Sequence, residues 1–307
     1  MAVTLDAALL DRYPRFSLYN SPYAAHDAGA AVDLYPEVAI GGDDDRDPAD
    51  GGPAPSPVAG EVLDTRTVDA PSKPYAVEHD HLLLVDTGEH VARLLHVDPA
   101  VAAGDRIAVG DSLGRLIRSG FFAPWVDDHV HLGFRSPDAN HYRASGSLPL
   151  DLGVDVAPVR WDGTGTVVET GESYAVLDAP DHPNPGAAFA GVAATVDGSE
   201  RVLDGGLPHY DGGGVLGGGL GPVTVLGQRV GTSDGRTVAW ADVTVRADVP
   251  ASEASGNSED GHGPSSGGGP ITGLSLFCGR DALGVKLVCP DREFAVGDEV
   301  VVDVATE

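Results

Sequence analysis

Lysine, cysteine and methionine are almost missing from this chain, and each scarcity removes a class of explanation. Only two lysines, Lys73 and Lys286, occur in 307 residues, so arginine carries nearly all the positive charge. Basic residues number 19 against 47 acidic ones, for a formal net charge of −28. No basic patch exists to neutralise phosphates, which excludes a nucleic-acid partner. Two cysteines, Cys278 and Cys289, are too few for a disulfide scaffold and are expected as reduced thiols. No run approaches the roughly 18 consecutive apolar residues of a membrane helix. The opening residues, MAVTLDAALLDRYPRF, lack a cationic stretch followed by an apolar one. A cytoplasmic chain with neither a membrane nor a nucleic-acid partner is the expectation.

What is abundant points the same way. The acidic residues are dispersed along the chain, the pattern of a protein adapted to strong salt. A hydrophobic fraction of 42% supports globular folding. Forty-two glycines and 23 prolines punctuate valine-rich runs, which read as many short strands joined by turns. In the first half, strands are expected over residues 60–68, 75–85, 90–96, 105–109 and 129–134, with one short helix over 4–13. Near residue 150 the character changes. Further strands are expected over 163–169, 173–177, 191–196, 223–230 and 237–246, and a last group over 274–278, 284–289 and 299–304. The fold class is therefore all-β, with one domain over residues 1–150 and a β-rich accessory domain, sandwich-like, over 151–307. The stretch 250–269, PASEASGNSEDGHGPSSGGG, reads as a low-complexity linker or loop. Residues 41–56 read as an acidic surface loop without the ligand spacing of an EF-hand. The glycine run 212–219 lacks a phosphate-loop pattern and is expected to be a flexible loop.

Chemistry concentrates in three places: His26 with Asp33, Arg93-Leu-Leu-His96, and His129-Val-His131. On a strand, residues i and i+2 share a face, so His129 and His131 present two imidazoles side by side. One can ligate a metal while the other reaches a metal-bound water, and a second imidazole with a carboxylate completes an open three-ligand site. The order of these pieces resembles the lysostaphin-type (M23) zinc metallopeptidases. The likeness runs from about Ser21 to Pro137, through Ser56-Pro-Val-Ala-Gly60-Glu-Val, Leu94-Leu-His96, the Gly-Asp turns at Gly104-Asp105 and Gly110-Asp111, and Asp128-His129-Val-His131-Leu-Gly-Phe. The resemblance implies an M23-like barrel-sandwich domain, the duplicated hybrid motif. It implies Zn²⁺ held by His26, Asp33 and His131, with His129 activating water and His96 stabilising the carbonyl oxygen. The implied activity is hydrolysis of an amide bond in a peptide-like or small-molecule substrate. Six residues separate His26 from Asp33, more than the family usually has, and Asp27 is an alternative first ligand.

Two other functions stay open: an M23-like module that binds without catalysis, and a histidine phosphocarrier using His81 with His96. A lipoyl or biotinyl carrier is excluded, because neither lysine sits in a suitable hairpin. Residues 151–307 are expected to bind substrate or a protein partner. The cluster Glu78-His79-Asp80-His81 is read as structural or solvent-facing, and His90, His141, His182, His209 and His262 as surface residues. Trp125 is read as core, with a cleft wall as the alternative. The charge makes one prediction independent of any site. Thermal unfolding midpoints should rise as KCl is raised from 0.1 M to 2 M, because salt screens the self-repulsion of the folded state. A midpoint that is flat or falls would contradict it.

Overall fold

The computed structural model describes residues 2–36, 47–49, 51–210, 212–250 and 268–306. Among them are 25 strands and two one-turn helices, so the chain is all-β. No helix among the described residues is long and apolar enough to cross a membrane. Most of the low-complexity stretch at 250–269, including His262, and residues 41–46 and 50 of the acidic loop lie outside the described residues.

One long sheet organises the molecule. It runs from the hairpin Gly212–Val225 and Gln228–Trp240 through Ser199–Asp204, Phe189–Val196, Cys278–Gly279, Arg15–Ser17, Ala31–Tyr35, Val130–Arg135, Val91–Leu95, His79–Asp86 and Gly60–Asp69 to Arg106–Ile107. The short strand Cys278–Gly279 joins the two halves: Gly279 pairs with Ala190 on one side and Arg15 on the other, and Cys278 pairs with Phe16. A second sheet of seven strands belongs to the C-terminal half alone. Its inner residues, such as Val167, Leu177, Val245, Leu287 and Val302, share one core with Val192, Leu203, Val215, Val223 and Val238 of the long sheet. Two sheets burying one apolar layer make a sandwich. A separate core fills the N-terminal half around Phe16, Leu34, Leu83, Leu94, Val130 and Leu132. Both cysteines are buried and free.

Several elements differ from expectation for local reasons. The helix expected over 4–13 shrinks to Ala7–Leu10, capped by the Asp6 carboxylate accepting from Leu9 N at 2.8 Å. The preceding Val3–Leu5 is extended instead and pairs in parallel with Leu150–Leu152. The strand expected over 223–230 turns back at Leu226-Gly227, both in the left-handed region, so it forms a hairpin. The glycine run over 212–219 is no loop but part of the long strand Gly212–Val225. Aromatic neighbours explain the glycines there. A Cβ on Gly214 would lie 2.0 Å from the Tyr19 ring, and one on Gly213 would lie 2.3 Å from the Trp240 ring.

The four strands that matter for chemistry are consecutive sheet neighbours. Ser17 pairs with Asp33, Asp33 with His131, and His131 with Leu95, a single row across the sheet. Gly214→Ala tests the account of the glycine run. Overpacking against Tyr19 should cost about 1–3 kcal/mol in urea unfolding, whereas an unchanged midpoint would mean that the run does not pack there.

Candidate metal centre

Ala31–Tyr35 is buried at every residue, so Asp33 places a carboxylate inside the sheet. A buried carboxylate demands compensation, and the imidazoles of His26 and His131 supply it. Asp33 Oδ1 lies 3.0 Å from His131 Nδ1, 3.3 Å from His26 Nε2 and 3.4 Å from His129 Nε2. His26 Nε2 and His131 Nδ1 are 3.1 Å apart. Burial alone would raise the Asp33 carboxyl, but His26, whose own pKa is raised, and the hydrogen bonds from His131 and His26 hold it well below the usual carboxylate range. Burial pushes both His129 and His131 down to about 4, so their rings are neutral near pH 7.

Each side chain reaches this point by a different local device. His131 and Asp33 are direct cross-strand partners and so share a face. His26 comes from the one-turn helix Ala24–Asp27, which ends in a Schellman motif: Ala30 N donates to Ala25 O and Gly29 N to His26 O, with Gly29 at φ +58°. That turn accounts for the long spacing between His26 and Asp33. It buries His26 and leaves Asp27, the alternative first ligand, exposed. His26 Nδ1 donates to Leu18 O at 2.6 Å, which turns Nε2 toward Asp33. His129 Nδ1 donates to Asp127 O at 2.7 Å, which leaves its Nε2 facing the same centre.

His96 requires a more costly device. Strand alternation after Leu95 would send its ring to the opposite face, but His96 adopts φ +68° and turns back. Its ring centroid lies 4.9 Å from that of His129 and 5.7 Å from that of His131. A non-glycine residue in the left-handed region is strained, and Asp80 holds it there. Asp80 Oδ1 accepts the His96 backbone N–H at 2.9 Å, and Oδ2 faces His96 Nδ1 at 2.5 Å. Asp80 is fully buried, and its contacts with His96 outweigh desolvation to keep its carboxyl below the ordinary range.

The structure thus gathers His26, Asp33, His96, His129 and His131 into one cluster. Sequence reasoning set Asp80 aside with its neighbours, yet the alternation Glu78-His79-Asp80-His81 carried the signal. It puts Asp80 on the face opposite both histidines, and His79 is exposed. His81 Nε2 lies near Asp98, 3.8 Å away, and its Nδ1 faces Thr67 Oγ1. His81 and His96 therefore engage different partners, unlike the facing pair a phosphocarrier uses. His209 is half-buried rather than on the surface, packed on Trp125 and Tyr210 with Nε2 3.1 Å from Asn20 Oδ1. The charges behind His129 also went unnoticed. Asp127 is pinned between Arg15 Nη1 at 2.9 Å and Lys286 Nζ at 2.7 Å, and Lys286 is fully buried.

The donor set can be compared with what a metal requires. Ligand atoms about 2.0–2.1 Å from a tetrahedral centre stand about 3.3 Å from one another. The three potential ligand atoms of His26, Asp33 and His131 stand 3.0–3.3 Å apart, so their spacing fits one tetrahedral face. These three also form the one group of metal-competent side chains found among the described residues. Two imidazoles and a carboxylate suit a borderline ion such as zinc, with any proton on His26 released when the ion binds.

Residues 4–152 match the family model described as Domain of unknown function (DUF8155) N-terminal domain. Residues 157–256 and 265–305 match the DUF8155 C-terminal domain. No curated protein and no solved structure matches the chain. The role of Asp80 gives a direct stability test. Asp80→Ala leaves the buried His96 N–H without its acceptor and should cost about 1–3 kcal/mol in urea unfolding. Asp80→Asn, which keeps one acceptor oxygen, should cost less, and equal losses would refute the two-point clamp.

Proposed function

The chain belongs to the DUF8155 family, and for it we propose a mononuclear zinc hydrolase of M23 type that cleaves amide bonds in a peptide-like substrate. The observation that carries this reading is the spacing of three ligand atoms to one tetrahedral face, beside two imidazoles oriented by their own hydrogen bonds. His26, Asp33 and His131 hold the ion. Zinc, when bound, supplies a Lewis acid and makes water nucleophilic near neutral pH.

The remaining work falls to the chain's own side chains. His129 donates from Nδ1 to the Asp127 carbonyl, so Nε2 is the nitrogen free to take a proton from the attacking water. Its neutral ring is the form a base requires. His96 donates from Nδ1 to Asp80, so Nε2 can donate to an oxyanion only from the imidazolium, whose charge the carboxylate balances. After attack, the proton held on His129 Nε2 passes to the leaving amine. The donor set and the flanking bases favour hydrolysis over a purely structural metal, because a structural zinc site closes its fourth position with another protein ligand.

Zinc content tests the reading first. Protein purified in high salt without a metal-chelating tag should carry about one zinc per chain, and His131→Ala should carry none. His129→Ala should keep its zinc and lose hydrolysis of short peptides by about 100-fold or more. A wild-type protein that takes up no zinc, even when zinc is offered, would overturn the proposal.

A further inference from the structure

The His26 segment, Leu18 to Gly29, is held at both ends by the C-terminal half. Before His26, the Asp204 carboxylate, fully buried at the end of the strand Ser199–Asp204, accepts the Leu18 N–H at 2.6 Å. The carbonyl of that same Leu18 accepts His26 Nδ1 at 2.6 Å. One residue thus connects a carboxylate of the second half to a ligand histidine of the first. After His26, Thr237 Oγ1 donates to Asp27 O at 3.2 Å, and Arg236 Nη2 reaches Gly29 O at 3.4 Å. The second half therefore fixes the carbonyl that selects the His26 tautomer and also covers the carbonyls that end its helix.

We propose that Asp204 is a positioning residue for the metal centre: through Leu18 it orients His26, so the affinity of the N-terminal site for its ion is set from the C-terminal half. The proposal rests on the zinc reading above. Physically, a ligand imidazole binds well when its second nitrogen already donates to a fixed acceptor, because the ring then needs no reordering on binding. An acceptor on a short irregular segment is fixed only if that segment is fixed. Leu18 lies between the strand Arg15–Ser17 and the helix of His26, and Asp204 immobilises it. Asp204 makes no hydrogen bond to a ligand side chain; its structural link to His26 runs through the Leu18 peptide, and its charge also acts on the imidazole. This gives residues 151–307 a task that does not require them to contact substrate.

Zinc affinity measured by competition with a chromophoric chelator tests the relay on the full chain. Asp204→Leu retains the buried volume but offers no acceptor, and its zinc affinity should fall about 10–100-fold. Asp204→Asn, whose amide oxygen still accepts the Leu18 N–H, should restore affinity close to wild type. Arg280→Met cuts another charged tie between the halves, to Asp11, and should leave zinc affinity unchanged. Undiminished affinity in Asp204→Leu would overturn the relay. So would equal weakening in Asp204→Leu and Arg280→Met, which would signify general loosening between the halves. Should Asp204→Leu fail to fold, the Leu18 amide proton of the wild-type protein carries the test. Its NMR shift should move on zinc loading, and a Leu18 amide indifferent to zinc would overturn the proposal. A wild type that binds no zinc would instead refute the hydrolase reading, a separate outcome.

Discussion

A carboxylate in the middle of a sheet is the constraint on which the rest of this structure depends. Asp33 occupies the centre of a strand buried at all five residues, where an isolated charge would be untenable. The fold answers by bringing three imidazoles within 3.4 Å of one carboxylate oxygen. One, His131, comes from directly opposite on the neighbouring strand, one, His129, from the residue just before that strand, and His26 from a helical turn that precedes the carboxylate's own strand. The resulting centre is compact because register fixes it: Asp33 and His131 cannot separate without slipping two paired strands, which would turn the apolar side chains of both to the wrong face.

Around that centre, orientation is delegated outward by one step. Backbone carbonyls of Leu18 and Asp127 hold His26 and His129, and the Asp80 carboxylate holds His96. Each of these holders is itself fixed. Asp204 ties the Leu18 peptide, Lys286 and Arg15 tie the Asp127 side chain, and the His96 backbone N–H closes the loop with Asp80. Two of the three arrangements draw on the C-terminal half, and the strand Cys278–Gly279 makes the two halves one continuous sheet. The same logic explains why one of only two lysines in so acidic a chain is fully buried. A single ammonium between Asp127 and the Trp125 carbonyl secures the segment that leads into the His129 strand.

The all-β class was legible because period-two alternation and turn residues are local signals, and they survive without tertiary information. His129 and His131 could be assigned to one face for the same reason. The errors arose where neighbours overrode local pattern. Gly212 to Gly219 reads as a flexible loop until Tyr19 and Trp240 are seen to occupy the space where side chains would stand. Thr4 to Tyr13 reads as a helix until Val3–Leu5 finds a partner strand at Leu150–Leu152. His209 reads as surface because nothing adjacent in sequence announces Trp125 or Asn20 beside it.

By itself, the sequence determined the all-β class, the strong negative charge and the candidate set His26, Asp33, His96, His129 and His131, since composition, alternation and motif order are properties of the chain. Only the tertiary structure decided that these five side chains converge, that His26 rather than Asp27 faces the centre, and that Asp80, Asp127 and Asp204 stand behind them. Those choices depend on contacts between residues 186 positions apart, as between Leu18 and Asp204, and 210 apart, as between Asp27 and Thr237. Hydrogen bonds of that span leave no periodic trace in the sequence, because their geometry exists only once strand register and packing have placed both partners.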